Sequence, residues 1–251
     1  MKIKNFFLAS AVVALSASPM IASAQESDNS ILSMTRIYLE PLAGMSFGAA
    51  MNEYIECYEE NGGDNSWTAW RDMESSVVWI VSNMDGWAEM DQERGEAEGA
   101  CWSILVEKMP ASVIKMKTDY ARYMADWSDP SEDFNVVRLH QFMVDEGDDF
   151  RETVGEMTSM LKEAEHEHVG AWYGMIGSDA DEIDYFQVSQ YENFAEIDAD
   201  RPNYNSVMVE EMGEEKAEEM WDELFDSVAD YGYKTVLLSR MEDWSYDPGE
   251  E

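Results

Sequence analysis

Apolar and polar positions along the chain switch between a period of two and a period near 3.6, which separates strands from helices. Ile31 to Leu39 reads as a strand, in the place that the alternating, β-rich run Val136 to Val144 holds in the second half. A helix over 46–60, strands over 66–73 and 77–84, a helix over 93–108 and a strand over 115–124 follow. The second half begins with an alternating strand over 136–144. Asp148 to Glu165 then carries apolar residues at Phe150, Val154, Met157 and Leu161, a helical spacing opened by acidic residues. Strands over 169–176 and 183–190 flank a Gly/Ser/Asp turn at 177–182. A second amphipathic helix over 214–229 and a closing strand over 233–241 complete the half. Each half therefore has the order β-α-β-β-α-β, the ferredoxin-like unit.

The halves also share short sequences. A-W-R-D-M at 69–73 matches A-W-Y-G-M at 171–175, and W-A-E-M-D at 87–91 matches F-A-E-I-D at 194–198. K-T-D-Y-A-R-Y-M-A-D-W-S at 117–128 matches K-T-V-L-L-S-R-M-E-D-W-S at 234–245. The offsets of 102, 107 and 117 grow along the chain, one insertion being Ser178 to Glu182. We read the chain as two copies, 25–128 and 129–251, the second ending in an acidic tail. The polar, proline-bearing segment D-W-S-D-P-S-E at 126–132 joins them.

A single such unit leaves one sheet face bare, and an apolar face of that size must be buried. The predicted fold is therefore α+β, two tandem ferredoxin-like units packing sheet to sheet as an intramolecular α/β barrel. In this it resembles the dimeric α/β-barrel superfamily, which includes antibiotic-biosynthesis-monooxygenase-like, EthD-like and NIPSNAP-like domains. The resemblance is architectural and carries no catalytic motif, so it does not fix an activity. Haem proteins resembling chlorite dismutase also use tandem ferredoxin-like halves, with a histidine near the central hairpin of the second half. Tyr173 to Asp184 here holds no His, so no cofactor is expected and haem is set aside.

Alternation suggests which side chains face the space between the sheets. Aligning Thr35-Arg36-Ile37-Tyr38 with Val137-Arg138-Leu139-His140 puts Met34, Arg36 and Tyr38 on the barrel side, together with Val136, Arg138, His140 and Phe142. Arg36 and Arg138 are then candidates to hold a carboxylate, phenolate or enolate, and Tyr38 or His140 to move a proton. Pairing of both arginines with neighbouring carboxylates is the alternative. Trp70, Trp172, Tyr185 and Phe142 are candidates to line an apolar ligand site. His166 and His168, in E-H-E-H, are the weak metal candidates, and no other ligand is placed beside them by spacing. A histidine beyond a helix C-terminus is the plainer account of that stretch.

Composition narrows the class of function. Sixteen Lys and Arg against 54 Asp and Glu give a formal charge of −38, a field that repels nucleic acid and anionic membrane surfaces. The carboxylates are dispersed, with no calcium-binding loop, as on a solvated surface suited to high salt. The basic start, the apolar run from Phe6 to Ile21 and the small-residue site Ala22-Ser-Ala24 form a secretory signal peptide. The expected protein is then periplasmic or secreted, cleaved after Ala24, without membrane insertion, and monomeric or homodimeric. An oxidising compartment permits a Cys57–Cys101 disulfide, which the sequence leaves open. The expected function is binding of a small, largely apolar or aromatic molecule between the sheets. The alternatives are a cofactor-free monooxygenase or isomerase on an aromatic substrate, and a structural or partner-binding protein with a filled barrel.

Overall fold

The computed structural model describes residues 30–93, 95–131, 133–166, 169–177, 182–199 and 202–249. The signal segment, His168 and most of the 178–182 insertion lie outside the described residues. Eight strands form one closed barrel: β1 (Ile31–Leu39), β2 (Thr68–Asp72), β3 (Val77–Met84), β4 (Val113–Tyr123), β5 (Val136–Val144), β6 (Ala171–Met175), β7 (Tyr185–Tyr191) and β8 (Val228–Arg240). Around the barrel the order is β1-β3-β2-β8-β5-β7-β6-β4. All the pairings are antiparallel. The same run, 4-1-3-2, therefore occurs twice, and the halves join edge to edge through β2 with β8 and β4 with β6 rather than face to face. Closure satisfies the edge strands that each open sheet would expose.

The lumen is a packed core. An eight-stranded barrel is just wide enough for side chains to fill. Here Leu32, Met34, Trp70, Trp79, Tyr173 and Phe186 belong to one buried cluster. Tyr173 stacks on Phe186 at 4.9 Å, and Trp70 on Phe134 at 5.9 Å.

Outside the barrel, α1 (Gly44–Glu60) and α2 (Glu96–Lys108) cover the first half. The second half carries α3 (Gly147–Glu163), α4 (Phe194–Ile197), α5 (Tyr204–Met212) and α6 (Glu214–Asp226). Among the described residues, no helix is long and apolar enough to cross a membrane. Phe150, Val154, Met157 and Leu161 form the buried stripe of α3, as their spacing requires. The periodicity did not predict α4 and α5, and β8 begins at Val228 rather than at 233 because the strand takes over directly from α6.

Each Asp-Trp-Ser segment clasps the opposite half. Trp127 packs into the core under α3, while Trp244 meets Phe47 of α1 at 5.3 Å. The Ser128 hydroxyl accepts from the Trp172 amide at 2.8 Å, and that of Ser245 accepts from the Ala69 amide at 3.0 Å. These reciprocal bonds make Ala69, not Trp70, the counterpart of Trp172.

Cys57 on α1 and Cys101 on α2 form a disulfide with a Cα–Cα distance of 5.8 Å. The bridge closes a 44-residue separation, for which loop-closure entropy gives about 4 kcal/mol. Replacing both cysteines by serine should therefore lower the melting temperature by roughly 10 °C in calorimetry. An unchanged melting temperature would show that the helix pair needs no tie.

Candidate functional site

A cavity of about 620 Å³ lies in the second half, between the outer face of the sheet and the helices. That volume falls in the range of small-molecule sites. Val154, Met157 and Leu161 of α3, Tyr204 of α5, and Trp221, Leu224 and Phe225 of α6 wall it. The sheet floor is more polar. Trp172, Gln187 and His140 form one row across β6, β7 and β5, with Ser189 and Arg138 forming the next row.

The helix missing from the sequence reading roofs this space. The Asn203 side chain caps α5 by accepting from the Ser206 amide at 2.9 Å. Gly213, at φ 87°, makes the left-handed turn from α5 into α6, a conformation that favours glycine. The Tyr204 hydroxyl donates to the Val169 carbonyl at 2.7 Å and receives the Gln187 amide at 3.1 Å, which ties α5 to the floor. The Asn203 cap followed by Val207 and Met208 was the sequence signal for this helix.

His140 and Tyr233 form a hydrogen-bonded pair, Nδ1 to Oη at 2.7 Å. Burial, with the Arg138 charge adding to it, pushes the imidazole pKa down to about 4, and burial pushes the Tyr233 phenol up. Both groups are therefore neutral at pH 7. With Nδ1–H donating to Tyr233, the lone pair of Nε2 is free for a proton or a metal; with Tyr233 donating, Nε2–H is a donor. His166 also lines the cavity, its ring edge-on to Tyr204 at 5.4 Å, so the histidine read as helix punctuation belongs to the wall. Among the described residues no group of three His, Cys, Asp or Glu could hold a metal ion.

The structure corrects the facing of β5. Val137 and Leu139 point into the lumen cluster, whereas Phe142 joins the core under the helices and Arg138 and His140 line the cavity. The 102-residue offset caused the error. Lumen-facing positions are even on β1 and odd on β5, so the halves superpose only at odd offsets, and a slip of one residue turns every side chain over. The matches at 107 and 117 obey this parity; the A-W match does not. Trp70 therefore stays in the lumen while Trp172 faces the cavity.

The other sequence candidates separate accordingly. Phe142 and Trp172 line the cavity, and Tyr185 stacks on Phe150 at 5.0 Å beside an adjoining groove. Arg36 lies in the lumen, paired with Asp119 at 2.5 Å and placed over the Trp79 ring. Tyr38 packs at the lumen edge beneath Lys115. Neither of these two joins Arg138 and His140.

No family model and no curated protein matches the chain. Solved structures do match. A "putative monooxygenase" from Lactobacillus acidophilus NCFM aligns over 88% of this chain and 97% of its own, with a TM-score of 0.54 at 14% identity. One from Fusobacterium nucleatum aligns over 87% and 98%, at 0.53 and 12%. An anthrone oxidase-like protein aligns over 90% and 95%, at 0.53 and 12%. The likeness is one of fold, the dimeric α/β barrel.

More distant matches include a chlorite dismutase from Candidatus Nitrospira defluvii (TM-score 0.48) and a haem-binding protein from Thermus thermophilus (0.43). The expectation of no cofactor, with haem set aside, is corrected by their presence. A haem here would have to recruit His140 or the 166/168 pair in place of a hairpin histidine, and His140 and His166 do line the cavity. The residues fit such a group: neutral His140 would be the residue to hold it, and the aromatic walls would lie against a flat ring system.

The folded-state pKa of His140 lies below the unfolded value of 6.5, so the unfolded chain takes up the proton first as pH falls. Its contribution is complete above pH 6.5 and is lost as pH drops toward 4, by roughly 3 kcal/mol. Urea unfolding should thus show wild type losing about that much relative to His140→Gln between pH 7 and pH 4. A constant difference would mean that the ring is not buried neutral.

Proposed function

We propose that this chain binds a small, largely apolar or aromatic molecule in the cavity between its second-half sheet and α3, α5 and α6. The carrying observation is a space of about 620 Å³ with aromatic and aliphatic walls, into whose floor a few polar groups converge. The site moves from the lumen to the outer face of the same sheet, because the lumen is occupied by its own side chains. Haem is one candidate occupant; His140 would hold it, and the iron would bring redox chemistry.

A second reading is a cofactor-free oxygenase or isomerase on an activated aromatic substrate. His140 Nε2 as proton acceptor beside the cationic Arg138 favours it, as does the fold shared with structures described as monooxygenase and anthrone oxidase-like. A pKa near 4 makes His140 a weak base at neutral pH, so binding is the stronger reading.

We also read the halves as copies of one ancestral unit, which the repeated 4-1-3-2 order and the reciprocal Ser128 and Ser245 bonds support. Residues 1–24 read as an export signal, consistent with an acidic protein that carries a disulfide.

Titration with the neutral fluorophore N-phenyl-1-naphthylamine tests the binding site. One saturable site is expected, weakened at least about tenfold in Ser189→Trp, which fills the cavity from its floor. Equal affinity in a folded Ser189→Trp variant would place the site elsewhere.

A further inference from the structure

Two arginines face ligand-sized or core space from equivalent sheets, and only one is neutralised. Arg36 meets Asp119 at 2.5 Å. Arg138 is half-buried on the cavity floor, and no side-chain hydrogen bond or ion pair joins it to any described residue. This occurs in a chain with 54 carboxylates and a net charge of −38, where nearly any surface position would supply a partner. A partly desolvated guanidinium without a counter-charge is costly, so such groups are normally paired.

The hydrogen bonds of the floor point the same way. The Gln187 amide is engaged: its Nε2 donates to the Val169 carbonyl and the Tyr204 hydroxyl, and its Oε1 accepts from Ser189. Tyr233 is engaged with His140. What remains is donor-rich. The Arg138 guanidinium is unused, and the Trp172 indole N–H, on a residue only 5% exposed, is buried without an acceptor. No carboxylate side chain among the described residues lines the cavity to repel an anion. Arg138 and His140 share one strand face two positions apart, roughly 7 Å, so a group held by Arg138 brings its body against the aromatic walls.

We propose that the occupant is an amphiphilic anion: an apolar ring or chain bearing a carboxylate or similar oxyanion, with the Arg138 guanidinium taking that oxyanion. This rests on the cavity being a small-molecule site, and it adds the charge class of the ligand. The acidic surface disfavours anions in general, so the donor-rich floor would set this cavity apart from its surroundings.

The test compares 2-naphthoate with its neutral near-isostere 2-naphthamide by isothermal titration calorimetry at pH 7, in wild type, Arg138→Gln and Arg138→Lys. Wild type should prefer the carboxylate by about 10- to 100-fold, the range of a charge-assisted hydrogen bond. The preference should fall to about one in Arg138→Gln and survive in part in Arg138→Lys. Equal binding of the two probes by wild type, or an intact preference in Arg138→Gln, overturns the anionic site while leaving the cavity reading standing. Failure of both probes to bind wild type overturns the cavity reading, and the anion with it.

Discussion

Closure of the eight-stranded barrel is the constraint on which the rest of this molecule depends. Once β2 pairs with β8 and β4 with β6, each strand has one face toward a lumen only as wide as its side chains and one face toward the helices. Trp70, Trp79, Tyr173 and Phe186 fill the inner side. Room for a ligand must then come from holding helices away from the outer face.

The two halves treat that outer face differently. In the first half, α1 and α2 are tied together by Cys57–Cys101, and the surrounding space is packed with Tyr54, Tyr58 and Trp67. In the second, the connection from β7 to α6 is lengthened by α5, and no disulfide draws α3 and α6 together. The extra helix stands on the sheet through Tyr204 and roofs the gap rather than filling it. A shared topology thus leaves one half filled and the other with a cavity floored by Arg138, His140 and Gln187.

Much of this was legible in the sequence. The bounds of β5 follow from alternation, those of β1 and β3 from the same order of elements in the first half, and α3 from the Phe150, Val154, Met157 and Leu161 stripe. Arg138, His140, Phe142 and Trp172 were singled out by residue type and do line the cavity. Their facing was misread because A-W-x-x-M set an even offset, and period-two structure tolerates no odd error. The helix α5 escaped because nine residues give little periodic signal, and its Asn203 cap is a weak mark without a run behind it. His166 could not be placed from its neighbours, since its ring contact, Tyr204, lies on that unrecognised helix.

The central claim is that the ligand space lies outside the barrel, under α3, α5 and α6. Xenon seeks apolar cavities without regard to charge, so diffraction from a xenon-pressurised crystal tests it most directly. An anomalous peak bounded by Phe142, Met157, Trp172 and Leu224 is the expected result. A peak in the lumen among Trp79, Tyr173 and Phe186, with none beneath the helices, would contradict it.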